Sequence, residues 1–141
     1  MATDQDDRMA IDRRERARPA GGELNAAITR AVVAIHRRQV GRGPTKAHAF
    51  FRNDVVVVVL SNVMTTPERR LVADGRGELV AEMRRQLQAT MHDALMAAVE
   101  RLTGCGVTAL MSDIHVGSDT AAEVFVLDRP VHAEESAGQR A

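Results

Sequence analysis

The chain has 141 residues, a length suited to one domain, with 19 basic and 19 acidic residues and a formal net charge of zero. A general nucleic-acid binder usually carries a clear basic excess, so this balance counts against that class. Three Phe and no Trp or Tyr leave few side chains for stacking on bases or sugars.

The cellular compartment is indicated by cysteine use and by the N-terminal residues. Cys105 is the one cysteine, so no intrachain disulfide can form and a reducing compartment fits best. Residues 1–21 are polar and lack the apolar region of a secretory signal. No stretch of the sequence approaches the ~20 apolar residues of a membrane span. These features predict a cytoplasmic protein.

The first predicted helix runs from Glu23 to Val40, after a charged arm, residues 1–21, predicted to be disordered. Its apolar residues recur every three or four positions, as in a helix with one buried face. Gly41 is a natural C-terminal cap because glycine adopts the left-handed conformation readily. The segment Gly41-Arg42-Gly43-Pro44 then predicts a turn.

A β-hairpin is predicted next, with strands Lys46–Arg52 and Val55–Leu60. Asn53 and Asp54 between them tolerate positive φ and suit a two-residue turn. Five consecutive valines do not alternate with polar residues, which predicts an interior strand with both faces covered. If the monomer covers only one face, the same valines predict a dimer that covers the other.

Two helices are predicted after this hairpin. Thr65 and Glu68 have the spacing of a capping box, which predicts a short helix ending near Ala73. A long helix follows, from Glu78 to Leu102. Its predicted buried stripe consists of Leu79, Met83, Leu87, Met91, Leu95, Ala98 and Leu102.

A second hairpin completes the predicted fold, with strands Val107–Ile114 and Ala121–Leu127. The order helix, hairpin, two helices, hairpin predicts an α+β domain in which helices cover a four-stranded, mainly antiparallel sheet. The domain is predicted to span residues 22–129, and residues 130–141 are predicted to be a disordered tail.

Positive charge is concentrated in the first third of the domain. Residues 22–62 contain six cations and two carboxylates, a local excess of four positive charges. The pattern fits either a solvated face or a site for an anion or an acidic partner. A phosphate-binding loop is excluded because Lys46 is not followed by Ser or Thr and the loop joins a helix to a strand. Our candidate contact residues are Arg42, Gly43, Lys46 and Arg52.

Catalytic and metal chemistry have little support in the sequence. The five histidines show no paired metal-ligand spacing, and we predict no catalytic centre, metal site or cofactor. Asp113 and His115 alternate along one strand, so a small enzyme using them as acid and base is one alternative. A nucleic-acid-binding regulator, based on the basic first helix and the arginine-rich arm, is another.

The order of these segments resembles a family of bacterial domains named MpsC, after a component of a Na+-translocating, membrane-potential-generating system. The resemblance extends over about residues 22–128. The matching residues are Gly41-Arg42-Gly43-Pro44-Thr45-Lys46, the valines after Asp54, Thr65, Glu68, Leu71, Leu79, Val80, Arg84, Leu102-Thr103-Gly104, Val107, Ser112-Asp113-Ile114 and Val124-Phe125-Val126-Leu127.

The resemblance implies a small soluble bacterial domain and supplies no catalytic residues. With no membrane span in the sequence, any transport role is expected to be that of an accessory or regulator beside membrane subunits. We therefore expect a non-enzymatic binding or regulatory domain that forms a homodimer. Its expected partners are membrane-transport subunits or a small anion, and nucleic acid is not expected to be one.

Overall fold

The computed structural model describes residues 21–131, and the predicted tails lie almost wholly outside that range. One residue of the predicted arm is described: Gly21 is buried and begins the first helix. The elements, in chain order, are α1 (Gly21–Val40), β1 (Lys46–Arg52), β2 (Val55–Ser61), α2 (Thr66–Ala73), α3 (Gly77–Thr103), β3 (Val107–His115), a 3-10 turn (Val116–Ser118) and β4 (Thr120–Leu127).

The four strands form one antiparallel sheet in the order β1-β2-β4-β3. Each hairpin supplies one edge strand and one interior strand, and the hairpins join where β2 pairs with β4. Asn53 takes a positive φ of 54° in the first hairpin turn. The predicted α+β class and the interior position of the valine strand are both confirmed.

The hydrophobic core lies between the sheet and helices α1 and α3. Alternate residues of β2 and β4 point into it, and Val56, Val58 and Phe125 are completely buried. Helix α1 contributes Leu24 and Ile28 to the same cluster. Side chains alternate between the two faces of a strand, and the helices pack on the face that carries these buried residues. Within residues 21–131, the other face of the sheet is not covered by a helix.

The second face of the sheet decides between the two cases predicted for the valine strand. Val55, Val57 and Val59 are only half-buried, and no described element packs over them. Within residues 21–131 the chain therefore covers one face of the valine strand, which is the case for which the sequence predicts a dimer. An antiparallel sheet can leave one face outside the core of its own domain, and here that face carries three valines.

The buried stripe of α3 differs from the prediction. Leu79 is 55% exposed and Met83 41% exposed, whereas Arg84 and Gln88 are buried. The stripe that faces the core begins at Val80 and continues through these two polar residues. The prediction selected apolar residues, and it missed an inward arginine whose charge is balanced by a carboxylate on α2.

Candidate functional site

The turn between α1 and β1 lies at one end of the sheet and contains most of the predicted contact residues. Gly41 has a φ of +85° and its N–H donates to the carbonyl of Arg37, which ends α1. Four residues later, the Thr45 N–H donates to the carbonyl of Ser61 in β2. These two bonds fix both ends of the turn, so its side chains project from a defined backbone.

Two arginines approach this turn from different sides. Arg42 Nη1 donates to the carbonyl of Met64 over 2.6 Å, which ties the turn to the loop between β2 and α2. The guanidinium of Arg37 lies over Gly43, where a Cβ atom would be 3.1 Å from Arg37 Nη2. A side chain at position 43 would therefore displace the Arg37 guanidinium by a few tenths of an ångström. We call Arg37 together with residues 41–46 the basic turn.

The predicted contact residues do not all meet. Lys46, the last residue of the basic turn, is also the first residue of β1, and its side chain is exposed. Arg52 is the last residue of the same strand, about 20 Å away at ~3.3 Å per residue. Arg42, Gly43 and Lys46 thus lie together, whereas Arg52 does not join them. Arg37 belongs to this group instead. Its position in the last turn of α1, close to Gly41 and Gly43, was the sequence signal that could have identified it.

The loop that receives Arg42 is itself held by a buried ion pair. Arg84 Nε donates to Glu68 Oε2 over 2.6 Å, and Arg84 Nη2 donates to Glu68 Oε1 over 2.7 Å. The same Nη2 donates to the Val63 carbonyl over 2.8 Å. This two-point contact of guanidinium and carboxylate has the geometry of a strong charge-assisted pair.

Glu68 has further partners at the start of α2. Its carboxylate accepts from the N–H and hydroxyl of Thr65, and the Thr65 hydroxyl in turn accepts from the Glu68 N–H. This confirms the predicted capping box. Burial alone would raise the pKa of Glu68, but hydrogen bonds from Arg84 and Thr65 and the charge of Arg84 hold it below its ordinary value.

A third support for the loop comes from the turn between β3 and β4. Asp119 has a φ of 51°, and its Oδ1 accepts from the backbone N–H groups of Val63 and Met64, over 2.8 and 2.9 Å. The loop is thus attached to the basic turn, to α3 and to the β3–β4 turn. Because the partners are far apart in the chain, spacing in the sequence does not reveal them.

A second polar group is buried between the sheet and α1. Glu123 is 0% exposed, and its Oε1 lies 3.2 Å from Nε2 of His36. The hydroxyl of Ser112 donates to the other carboxylate oxygen. The glutamate lies between histidine and serine, so these residues do not form a nucleophile–base–orienter relay. The burial of Glu123 was predictable from the alternation of β4, because Glu123 occupies the inward position between Ala121 and Phe125.

Asp113 and His115 are both exposed on the same face of β3, as their alternation predicts. The Asp113 carboxylate accepts from the N–H of Ile114. Nδ1 of His115 accepts from the N–H of Ser118 and lies 2.8 Å from its hydroxyl, which caps the 3-10 turn. Each side chain therefore has a local structural partner, and no hydrogen bond joins the two.

Residues 21–131 contain neither a group of metal ligands nor a helix suited to span a membrane. In that range, no three His, Cys, Asp or Glu side chains are grouped so that they could bind a metal ion. The thiol of Cys105 is buried. None of the described helices combines the length and the apolarity that crossing a bilayer requires.

Taken together, the fold and the site define a small α+β domain whose single sheet, covered by helices on one face, carries a basic turn at one end. The chain belongs to the family described as Na+-translocating membrane potential-generating system (MpsC), whose model matches residues 20–129. The resemblance based on the Gly-Arg-Gly-Pro turn and the later segments is thereby confirmed.

One relative is an uncharacterized protein, YrhF, of Bacillus subtilis (strain 168). It is 26% identical to this chain over 107 residues, which cover 74% of this chain and 88% of the relative. No solved structure matches the chain. The family match thus covers residues 21–129 of the described range, 21–131. The name of the relative does not indicate a ligand or a reaction.

Proposed function

We propose that this chain is a non-enzymatic binding and regulatory domain that acts in the cytoplasm as an accessory to a membrane ion-transport or membrane-potential-generating system. Its ligand is an anionic group, carried by a small anion or by an acidic segment of a transport subunit, and the basic turn is the contact site. The family description supports the association with a Na+-translocating system.

The observation that carries this proposal is the grouping of Arg37, Arg42 and Lys46 at the turn between α1 and β1. Among the described residues, none of these three cations has a carboxylate within salt-bridge distance. Positive charges grouped at a fixed backbone create a local field that attracts anions, although the net charge of the chain is zero. Arginine adds a planar donor fork that matches carboxylate and phosphate oxygens.

Arg42 has a double role in this proposal. One nitrogen of its guanidinium already donates to the Met64 carbonyl, which limits the side chain to one position. The remaining N–H groups are available to a ligand because a guanidinium has five donors. A cation held in place by the protein loses less entropy on binding than a free side chain does, which favours affinity.

The binding site is tested with inorganic phosphate as the probe, at constant ionic strength maintained with chloride. Phosphate at 100 times its Kd is expected to stabilise the wild-type chain by ~2.7 kcal/mol, measured as a rise in Tm. Lys46→Ala and Arg37→Ala should each remove most of this rise. Both side chains are exposed, so neither change is expected to unfold the protein.

Arg52→Ala is the matched control, since it removes an exposed cation from the same strand at the opposite end. It is expected to leave the phosphate effect unchanged. If Arg52→Ala and Lys46→Ala reduce the effect equally, or if phosphate does not stabilise the wild type, the basic turn is not an anion site.

The accessory role is tested in cells that lack the chain. The Na+-dependent membrane potential is expected to fall in these cells and to be restored by the wild-type chain and by Arg52→Ala, but not by Arg37→Ala/Lys46→Ala. An unchanged potential in the deleted cells would refute the accessory role. The phosphate experiment is independent of this result.

The proposal also includes a homodimer as the working form of the protein. Its support is the half-exposed second face of the sheet, where Val55, Val57 and Val59 have no described partner. Burying such a surface between two copies removes apolar area from water.

A further inference from the structure

The second face of the sheet has an ordered arrangement of side chains. We call this surface the open face. It consists of the strand residues that point away from α1 and α3. Its central row, read across the sheet from β1 to β3, is Phe50, Val57, Val124 and Met111. The next row is His48, Val59, Ala122 and Asp113.

The open face is apolar at its centre. Phe50 is 48% exposed and Met111 is 55% exposed, and the two residues between them in the row are half-buried valines. Large apolar side chains grouped on one exposed surface of a small protein typically mark a contact with another molecule. The surface therefore has the character of an interface.

Charge is distributed unequally between the two edges of the open face. The β1 edge carries Lys46, His48 and Arg52, all exposed. The β3 edge carries the exposed carboxylate of Asp113 and the exposed imidazole of His115. Glu123 of β4 lies on the opposite, buried face of the sheet. One edge is thus basic, and the other carries the one acidic group of the described open face.

We propose that a second copy of this chain docks on the open face, related by a two-fold axis that runs close to the strand direction. Under this symmetry β1 of each copy lies across β3 of the other. Phe50 then faces Met111 of the second copy, a favourable contact between sulfur and an aromatic ring. His48 faces Asp113 of the second copy, so the basic edge meets the acidic group.

The alternative two-fold axis, running across the strands, is disfavoured by charge. It places β1 over β1 of the second copy and brings Lys46 close to Arg52 across the interface. Opposed cations are repulsive, and their desolvation has no compensating partner. The unequal edges of the sheet therefore select one of the two symmetric arrangements.

The size of the open face sets the expected strength of the dimer. Four strands about 4.8 Å apart and seven residues long give a face of roughly 19 by 23 Å, or ~440 Å² per copy. Two such faces amount to ~880 Å², which is below the ~1,200 Å² at which stable specific interfaces begin. We therefore expect a weak dimer that dissociates on dilution.

This inference deepens the dimeric part of the proposed function and does not depend on the basic turn binding an anion. It names the surface, the partner and the register of contact. A failure of the phosphate test leaves the dimer intact, and a failure of the dimer test leaves the phosphate result intact, so the two outcomes are distinguishable.

The first experiment measures the mass of the full chain by sedimentation equilibrium over a range of concentrations. The wild type is expected to shift from monomer to dimer. Met111→Lys places a cation opposite the basic β1 of the second copy and should raise the dimer Kd at least tenfold. Leu79→Lys is the matched control, because Leu79 on α3 is also 55% exposed but lies away from the open face. It should leave the Kd unchanged.

The second experiment tests the register by cross-linking. Within one copy, Phe50 and Met111 lie three strand spacings apart, about 14 Å, whereas facing sheets are ~10 Å apart. Each variant carries one introduced cysteine. In a mixture of the two variants, a bifunctional thiol reagent that spans about 10 Å but not about 14 Å should join Phe50→Cys of one copy to Met111→Cys of the other. Phe50→Cys alone should give little dimer. Wild type controls for the buried Cys105.

Four results would overturn the proposal: a wild type that is monomeric at every concentration, equal effects of Met111→Lys and Leu79→Lys, no cross-linked dimer in the mixture, or cross-linking of Phe50→Cys to itself as efficient as in the mixture. The chain's own termini are the other occupants to be tested. If the full chain is a monomer and deleting residues 1–20 or 132–141 produces a dimer, a terminus covers the open face and the proposal fails.

Discussion

Replacing Arg84 by methionine tests how the loop beneath the basic turn is held. Arg84 is 3% exposed and makes three hydrogen bonds, two to Glu68 and one to the Val63 carbonyl. Methionine retains the length of the side chain but leaves the Glu68 carboxylate buried without its cation. Breaking a buried ion pair in this way costs about 3–5 kcal/mol. For a folded unit of this size, Tm should fall by roughly 12–20 °C.

The effect should depend on pH in a defined direction. In the wild type, the lowered pKa of Glu68 contributes stability that is present above the pKa of the unfolded carboxyl and is lost as pH falls through the folded value. Without Arg84, burial, already the largest single influence on the pKa of Glu68, is opposed only by the hydrogen bonds from Thr65, so this pKa should rise. The loss of folding free energy in Arg84→Met is then largest at neutral pH, where the buried Glu68 would be charged. The difference in stability between wild type and Arg84→Met should narrow as pH falls from 7 towards about 4.

Urea denaturation followed by circular dichroism measures these differences. Arg85→Met is the control, since Arg85 forms an exposed pair with Glu82 and its loss should not measurably change stability. The double variant Arg84→Met/Glu68→Gln removes the buried charge, and glutamine preserves the capping box. It should be more stable than Arg84→Met alone. If it is not, or if Arg85→Met is equally damaging, the ion pair does not hold the loop.

Three further changes address the caps and the polar interior. Gly104→Ala should lower the free energy of unfolding by about 1 kcal/mol, because Gly104 ends α3 with a φ of +70°; Gly22→Ala, with open space around the added Cβ, should not lower it. Asp119→Ala should cost about 1–3 kcal/mol, since two backbone N–H groups lose their acceptor, whereas Asp119→Asn should cost less. His36→Leu should cost about 1–3 kcal/mol by leaving one buried oxygen of Glu123 without its partner, and a change below ~0.5 kcal/mol in urea denaturation would contradict this role.

The ends of helices and strands were predictable because their signals are local. Gly41, the pair Thr65 and Glu68, and the Asn53-Asp54 turn all act within a few residues of themselves. Their conformations depend on φ preferences and short-range hydrogen bonds. Consequently the predicted boundaries of every element differ from the structure by no more than two residues.

The polar interior was not predictable in the same way. Arg84 meets Glu68 across 16 residues, and His36 meets Glu123 across 87. A charged residue in a helix is usually solvated, so the prediction placed Arg84 outside the core. Only the folded chain brings the carboxylate that makes its burial tolerable.

The candidate site was partly predictable for a related reason. Arg42, Gly43 and Lys46 are neighbours in sequence, so grouping them required no tertiary information. Arg52 was added because of its charge, and the extended strand carries it to the far end of β1. Arg37 joins from α1 through its approach to Gly43, a contact that depends on how the helix enters the turn.

The pairing of β2 with β4 has a consequence for synthesis of the chain. The two strands are about 60 residues apart in sequence, so this pairing is the long-range step and the two hairpins are the local ones. During translation, the inner edge of the valine strand has no neighbour until residue 127 has left the ribosome. A valine-rich segment with an unpaired edge is prone to pair between molecules. Slow emergence of the second hairpin should therefore favour aggregation of the nascent protein, and stop codons placed before β4 should yield insoluble products.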